Sequence, residues 1–198
     1  MTEKERPLRA DARRNREKIL EGASELFARQ GREAQMEDIA EHCGLGLGTL
    51  YRHFPTKEAL WAAVVGRRFE QLSALALEIE RIQDPSEAFE ALLEGFAEAA
   101  EGDSAIQLAL LGSGVRQWVT IDDQKNEFHD VATRIIERAI AEGTVRSDLT
   151  VADFPVLATA LISTMHFKPS KTADWRRHLD LQLDGIRARG PADHDGDR

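Results

Sequence analysis

The stretch that most restricts what this chain can fold into is Met36–Lys57, MEDIAEHCGLGLGTLYRHFPTK. Ile39 and Ala40 give a helix over Met36–Cys43 an apolar face. Gly44 stops that helix, because glycine takes the left-handed cap conformation without a Cβ penalty. Leu45 is expected as a buried staple across the turn, and Gly46 as the N-cap of a second short helix, Leu47–His53. This helix turns Leu50 inward and leaves Leu47, Gly48, Thr49, Tyr51, Arg52 and His53 for its outer face. A short helix carrying a small residue, hydroxyls and cations outward, braced on another across a tight turn, has the geometry of a helix-turn-helix recognition helix.

The flanks fit that unit. From Arg13 to Gln30 the residues Ile19, Leu20, Ala23, Leu26 and Phe27 make one apolar helical face, and Gly31 is a stop signal. This helix should pack over the other two and complete a three-helix core. Pro55 cannot extend the recognition helix, and Thr56 caps a fourth helix. Its stripe of Leu60, Val64, Leu72, Leu75 and Ile79 predicts a run to about Gln83.

Beyond it, Asp84-Pro85-Ser86-Glu87 is a start signal with Asp at the cap and Pro at the first helical position. It opens a helix carrying Phe89, Leu92, Leu93 and Phe96. A short helix to about Leu111 precedes a break at Gly112–Gly114. Asp122-Asp123 starts a helix with Phe128, Val131, Ile135, Ile136 and Ala139 inward, ending at Gly143. Thr150–Asp153 resembles a capping box, Pro155 is tolerable in a first turn, and the helix continues through Leu157, Leu161, Ile162 and Met165 until Lys168–Ser170. A final helix, about Ala173–Ala188, carries Trp175, Leu179, Leu183 and Ile186. No repeat and no strand emerges, so the expected class is all-α with about nine helices. Residues 1–12 read as a flexible basic arm, in which Arg6 and Arg9, followed by Arg13 and Arg14, either follow a nucleic-acid groove or form a solvated tail. Residues 190–198 read as a disordered tail.

The net charge of -9 seems to oppose nucleic-acid binding, so its distribution matters more than its sum. Residues 1–70 hold 13 Lys+Arg against 12 Asp+Glu, whereas residues 71–198 hold 13 against 23. The acid sits where it can face away from DNA. A single cysteine, Cys43, excludes an internal disulfide framework and fits a reducing cytoplasm. No apolar run is long enough to span a bilayer, and the charged N-terminus lacks the apolar segment of a secretory signal.

The run DIAEHCGLGLGTLYRHFPTKEAL, with the preceding pattern of Arg16, Ile19, Leu20, Leu26, Phe27 and Gly31, resembles the DNA-binding domain of the TetR family of transcriptional regulators. The resemblance spans about Arg13–Val65, and the remainder is similar in length and helical pattern only. It implies a helix-turn-helix domain over residues 13–58, joined by a long helix to a regulatory and dimerisation domain over residues 59–189. The residues matching the family's contact positions are Gly48, Thr49, Tyr51, His53 and Lys57. Tyr51 and His53 would donate to phosphates, and Lys57 lies in the first turn of the fourth helix, which favours an anion. Gly48 would let the helix approach the groove, and Thr49 would meet a base edge or a thymine methyl. Leu47 offers apolar contact and Arg52 reaches phosphate or guanine. Gln35 replaces a family threonine that caps the next helix and touches phosphate, and glutamine is the poorer cap.

The same resemblance places a small-molecule pocket in the C-terminal region, with Phe89, Phe96, Trp118, Phe128, His129, Met165 and His166 as candidate walls or packed core. The last two helices resemble the family's dimerisation pair, with Trp175, Leu179 and Leu183 as candidate interface residues or internal packing. A palindromic double-stranded operator requires two recognition helices and hence a two-fold homodimer.

The glycines of Gly44–Gly48 form GxGxG with no preceding strand, which does not make a dinucleotide site. His42, Cys43 and His53 fit no common zinc spacing, so no metal is expected, and no cofactor either. No serine lies in a nucleophile elbow. The reading is a cytoplasmic, dimeric regulator, a repressor released from DNA by an unidentified small-molecule effector. The alternatives are a ligand-independent repressor whose C-terminal half only dimerises, and an enzyme carrying an accessory DNA head.

Overall fold

A computed structural model describes residues 5–101, 103, 107, 122–167 and 174–188, with the backbone alone for residues 5–10, 32, 122–124, 166 and 167. The fold is all-α. Eight α-helices follow one another among the described residues: α1 Glu5–Gln30, α2 Met36–His42, α3 Leu47–His53, α4 Lys57–Ile79, α5 Pro85–Ala100, α6 Asp122–Ala141, α7 Phe154–Phe167 and α8 Trp175–Ile186. Short 3₁₀ turns occupy Gly31–Glu33 and Val151–Asp153. The single β-type pairing among those residues is an antiparallel bridge between Val145 and Arg187. The short helix expected before Leu111, the break at Gly112–Gly114, the break at Lys168–Ser170 and the tail from residue 190 lie outside the described residues.

The chain divides into two compact units, residues 1–70 with 102–125 and residues 71–101 with 126–198. The division falls within α4 and within α6. In the first unit, α1 packs on α2 and α2 on α3. Ile19, Leu20, Ala23, Leu26 and Phe27 of α1 meet Met36, Ile39, Ala40, Leu50, Phe54, Leu60 and Val64 in one buried cluster, as the apolar periodicity requires. Phe27 and Trp61 lock it edge to face at 4.9 Å. A Cβ at Gly22 would stand 2.5 Å from the Cys43 sulfur, so the close approach of α1 and α2 needs glycine there.

One expectation about this unit is corrected. Helix α1 begins at Glu5, where an arm was expected to residue 12. Pro7 lies in its first turn, where the missing N–H has no helical partner to lose.

In the second unit, α5 packs against both α7 and α8, and α7 against α8. Asp84 caps α5 by accepting from the Ser86 and Glu87 amides at 2.8 and 3.0 Å. Asp153 accepts from the Thr150 amide and hydroxyl, each at 2.8 Å, and starts the turn that leads into α7. Helix α4 stops at Ile79 rather than near Gln83. Arg138 donates to the carbonyls of Glu80 and Ile82 at 3.2 and 2.8 Å, satisfying the loose end in place of another helical turn. Arg134 grips the Glu80 carboxylate in two bonds of 2.5 and 3.0 Å.

Candidate nucleic-acid interface

The turn between α2 and α3 is closed by backbone alone. The Leu45 amide donates to the Ala40 carbonyl at 2.9 Å and the Gly44 amide to that of Glu41 at 2.8 Å, with Gly44 at φ +59°. This pair of bonds is the Schellman helix end, and the residue beyond its glycine turns inward. Leu45 accordingly packs half-buried against the head's core. Gly46 then takes an extended conformation, and its carbonyl receives the Thr49 and Leu50 amides at 2.8 and 3.2 Å. Leu50 is fully buried and fixes the rotation of α3, while Phe54 anchors its far end.

With Leu50 inward, Leu47, Gly48, Tyr51 and Arg52 face solvent and Thr49 and His53 are half-buried. Leu47 and Tyr51 are large hydrophobic side chains left 36% and 41% exposed on a seven-residue helix. A Cβ on Gly48 would meet nothing within 4 Å. The fold therefore does not need glycine at this position, although glycine costs a helix interior about 1 kcal/mol relative to alanine. Thr56 accepts from the Ala59 amide at 3.1 Å and starts α4, where Lys57 is half-buried.

The other expected DNA residues lie elsewhere in the head. Arg13 and Arg14 are exposed on α1, and Arg14 is paired with Asp11. Gln35 does not cap α2; its amide turns back to donate to the Glu33 carbonyl at 2.6 Å, so no side chain satisfies that helix start. Arg16 is the residue missed by the sequence reading. Its guanidinium stacks 5.5 Å from the ring centroid of Phe54, immediately after the recognition helix. The signal lay in its spacing, since Arg13 and Arg16 are i and i+3 on one helix side. Cys43 and His42 are accounted for within the head. Burial pushes the Cys43 thiol above its ordinary range, with Lys18 pulling the other way. Its Sγ lies 3.4 Å from the Lys18 carbonyl, and His42 meets Glu25 at 2.9 Å. Among the described residues no cluster suits a metal ion.

Of the expected pocket residues, Phe89, Phe96 and Phe128 are buried. Phe96 and Phe128 join Phe154, with ring centroids 5.6 to 5.9 Å apart, in a three-ring cluster. Phe154 went unassigned because it stands at the very start of α7 beside Pro155. Met165 is half-buried, whereas His129 is exposed beside Thr133. One residue's step of about 100° carries His129 off the inward stripe of Phe128, Val131 and Ile135. Trp118 and the His166 side chain lie outside the described residues. Ser73 on α4 is buried, and its hydroxyl has no hydrogen-bond partner among the described residues.

Trp175, Leu179 and Leu183 are buried within the chain itself. They form the inward stripe of α8. Among the described residues of α7 and α8, the large apolar side chains left outward are Val156, 68% exposed, and Leu181, 55% exposed.

A recognition helix so exposed, on a three-helix head of an all-α chain, defines a DNA-binding transcriptional regulator. The pattern of the bacterial regulatory proteins of the TetR family matches residues 19–64, and that of the SbtR-like transcriptional regulator C-terminal domain matches residues 84–188. The chain belongs to the TetR family. Its relatives include the HTH-type transcriptional repressor KstR2 of Rhodococcus jostii, 28% identical over 86% of this chain and 90% of that protein. The crystal structure of a TetR transcription regulatory protein from Mycobacterium vanbaalenii is 32% identical, with a TM-score of 0.64 over 91% of this chain and 99% of that one. The regulator FadR of Bacillus subtilis, solved with stearoyl-CoA, shares the fold at 20% identity, with a TM-score of 0.68 over 86% of this chain and 98% of its own. The family and these relatives are regulators of transcription, not enzymes. No helix among the described residues is long and apolar enough to cross a membrane.

Proposed function

We propose that the chain is a cytoplasmic homodimeric repressor that grips a palindromic operator and releases it when a small molecule enters the C-terminal domain. Residues 13–58 are the DNA head and residues 59–189 the regulatory and dimerisation part. The observation that carries the reading is the outer face of α3, with Leu47, Gly48, Tyr51 and Arg52 in solvent on a helix whose rotation is fixed by Leu50. Tyr51, His53, Lys57 and Arg16 hold phosphates, and Arg13, Arg14 and Gln35 lie at the flanks. Thr49 reads a base edge, with Leu47 against a thymine methyl.

Support for a ligand comes from the hydroxyl of Ser73, a buried polar group in want of a partner. The stearoyl-CoA held by FadR illustrates what this fold accommodates. A ligand needs only different affinities for the DNA-competent and released states. The mutual packing of Phe96, Phe128 and Phe154 favours a second reading, a filled core and a ligand-independent repressor. Support for the homodimer comes from α7, which carries no Asp, Glu, Lys or Arg over its 14 residues yet leaves Val156 outward.

The test is a binding titration on a selected operator duplex. Lys57→Ala weakens all duplexes alike and lowers the salt slope by about one, whereas Thr49→Ala relaxes sequence preference by about 1–3 kcal/mol. Undiminished affinity in Lys57→Ala removes its phosphate role. For any compound that binds, unchanged operator affinity at saturation rejects it as the releasing effector.

A further inference from the structure

The head's buried cluster takes nothing from α1 before Ile19. Helix α1 nevertheless begins at Glu5, about four turns ahead of that core. From Asp11 to Lys18 every side chain is exposed except half-buried Asn15. A stretch with no buried side is not held by core packing, so its charges are what it offers a partner.

Those charges are sorted by side. Arg6, Arg9, Arg13 and Arg16 follow one another at spacings of three, four and three residues, the register of one helix face. At 1.5 Å per residue the row is about 15 Å long. The nearest acids among the described side chains are answered from elsewhere. Asp11 pairs with Arg14, and Glu17 with Arg67 at 3.3 Å. Among the described residues Arg13 and Arg16 pair with no carboxylate.

The row ends against the recognition helix. Arg16 lies 5.5 Å from the ring centroid of Phe54, which directly follows His53, the last residue of α3. A guanidinium resting on a ring face keeps its N–H groups at the edge, where they can donate. The row therefore starts beside α3 and leads away from it along α1.

We infer that the leading turns of α1 form a basic ridge, Arg6, Arg9, Arg13 and Arg16, which holds duplex phosphates outside the half-site read by α3. Arg14, turned to Asp11, is not a member. A rigid row of cations suits the regular phosphates of a duplex and is indifferent to base sequence. A helix about 10 Å across does not enter a minor groove about 6 Å wide, so the ridge lies on the backbone. This inference rests on the DNA-binding reading and adds flanking DNA that the recognition helix does not touch.

Anisotropy titrations of the full chain test it on two duplexes carrying the selected operator. One ends at the half-sites; the other adds about ten base pairs on each side, more than a 15 Å ridge covers. Wild type is expected to bind the longer duplex more tightly. Arg6→Ala/Arg9→Ala, which keeps good helix formers, is expected to bind it about tenfold more weakly. Its salt slope should be shallower by about 0.9 for each phosphate lost, and its affinity for the short duplex should equal that of wild type. Arg6→Lys/Arg9→Lys should restore the longer-duplex affinity. Arg29→Ala/Arg177→Ala, which removes the same charge from exposed positions elsewhere, should leave the slope unchanged. Equal affinity of wild type for both duplexes, or wild-type binding of the longer one by Arg6→Ala/Arg9→Ala, overturns the ridge while the head reading stands. A flank advantage confined to A·T-rich flanks also overturns it, in favour of groove insertion. A wild-type chain that binds no duplex overturns the DNA-binding reading itself.

Discussion

If α3 enters the groove as proposed, Gly48 is the residue at which folding and binding pull apart. Its neighbourhood is open to a Cβ, so the head gains nothing from glycine there. Gly48→Ala is therefore expected to raise the head's stability by up to about 1 kcal/mol, seen as an increased melting temperature. The same change is expected to weaken operator binding in a fluorescence anisotropy titration, because a methyl group would stand where the helix meets the groove. Operator affinity equal to wild type would show that the approach is not close at this position. Leu50 is the reverse case. It is fully buried, and Leu50→Ala should cost the head about 2–5 kcal/mol in chemical denaturation, with loss of DNA binding following from loss of fold. Retained stability in that variant would contradict the role of Leu50 in fixing α3.

Among the elements, the joint between α4 and α6 rests on charge. Arg134 holds the Glu80 carboxyl below its ordinary range through a hydrogen-bonded pair, and Arg138 satisfies the carbonyls just beyond α4. A depressed carboxyl stabilises the fold above the unfolded glutamate range and loses that stabilisation as pH falls through the folded value. Arg134→Ala should therefore be less stable than wild type by about 1 kcal/mol at pH 7, since the pair is largely in solvent, with the gap closing below about pH 4. A gap independent of pH would assign the effect to packing of the arginine stem.

These elements also mark what the sequence disclosed. Apolar spacing and caps were legible wherever they were local: Ile19 to Phe27 on α1, the Gly44 turn, and Asp84 before α5 all stand where pattern and capping chemistry put them. The end of α4 was not, because the groups that terminate it come from α6, more than fifty residues away. Arg16 was read as part of a core signature; its spacing from Arg13 put the two on one helix side, but the contact with Phe54 comes from a different helix and spacing does not disclose it. His129 was named a candidate wall for its side-chain type, although it follows Phe128 directly and adjacent helical residues point about 100° apart. Trp175, Leu179 and Leu183 stood as interface or internal packing, because an apolar stripe reads the same whether it faces its own chain or a second copy.

At the scale of the whole molecule, a net charge of -9 coexists with DNA binding because the basic groups that matter are few and local. Affinity should accordingly fall with salt, by about 0.9 in log affinity per log salt for each phosphate held. Two heads are needed to read a palindrome, and the proposed homodimer would supply them. The most direct measurement is selection of bound sequences from a randomised duplex pool by the purified full-length chain. An inverted repeat is expected, with half-site centres about one helical turn, 34–36 Å, or a multiple of it apart. Selection of a single unrepeated site, or no enrichment at all, would contradict the account of a two-fold regulator reading DNA through α3.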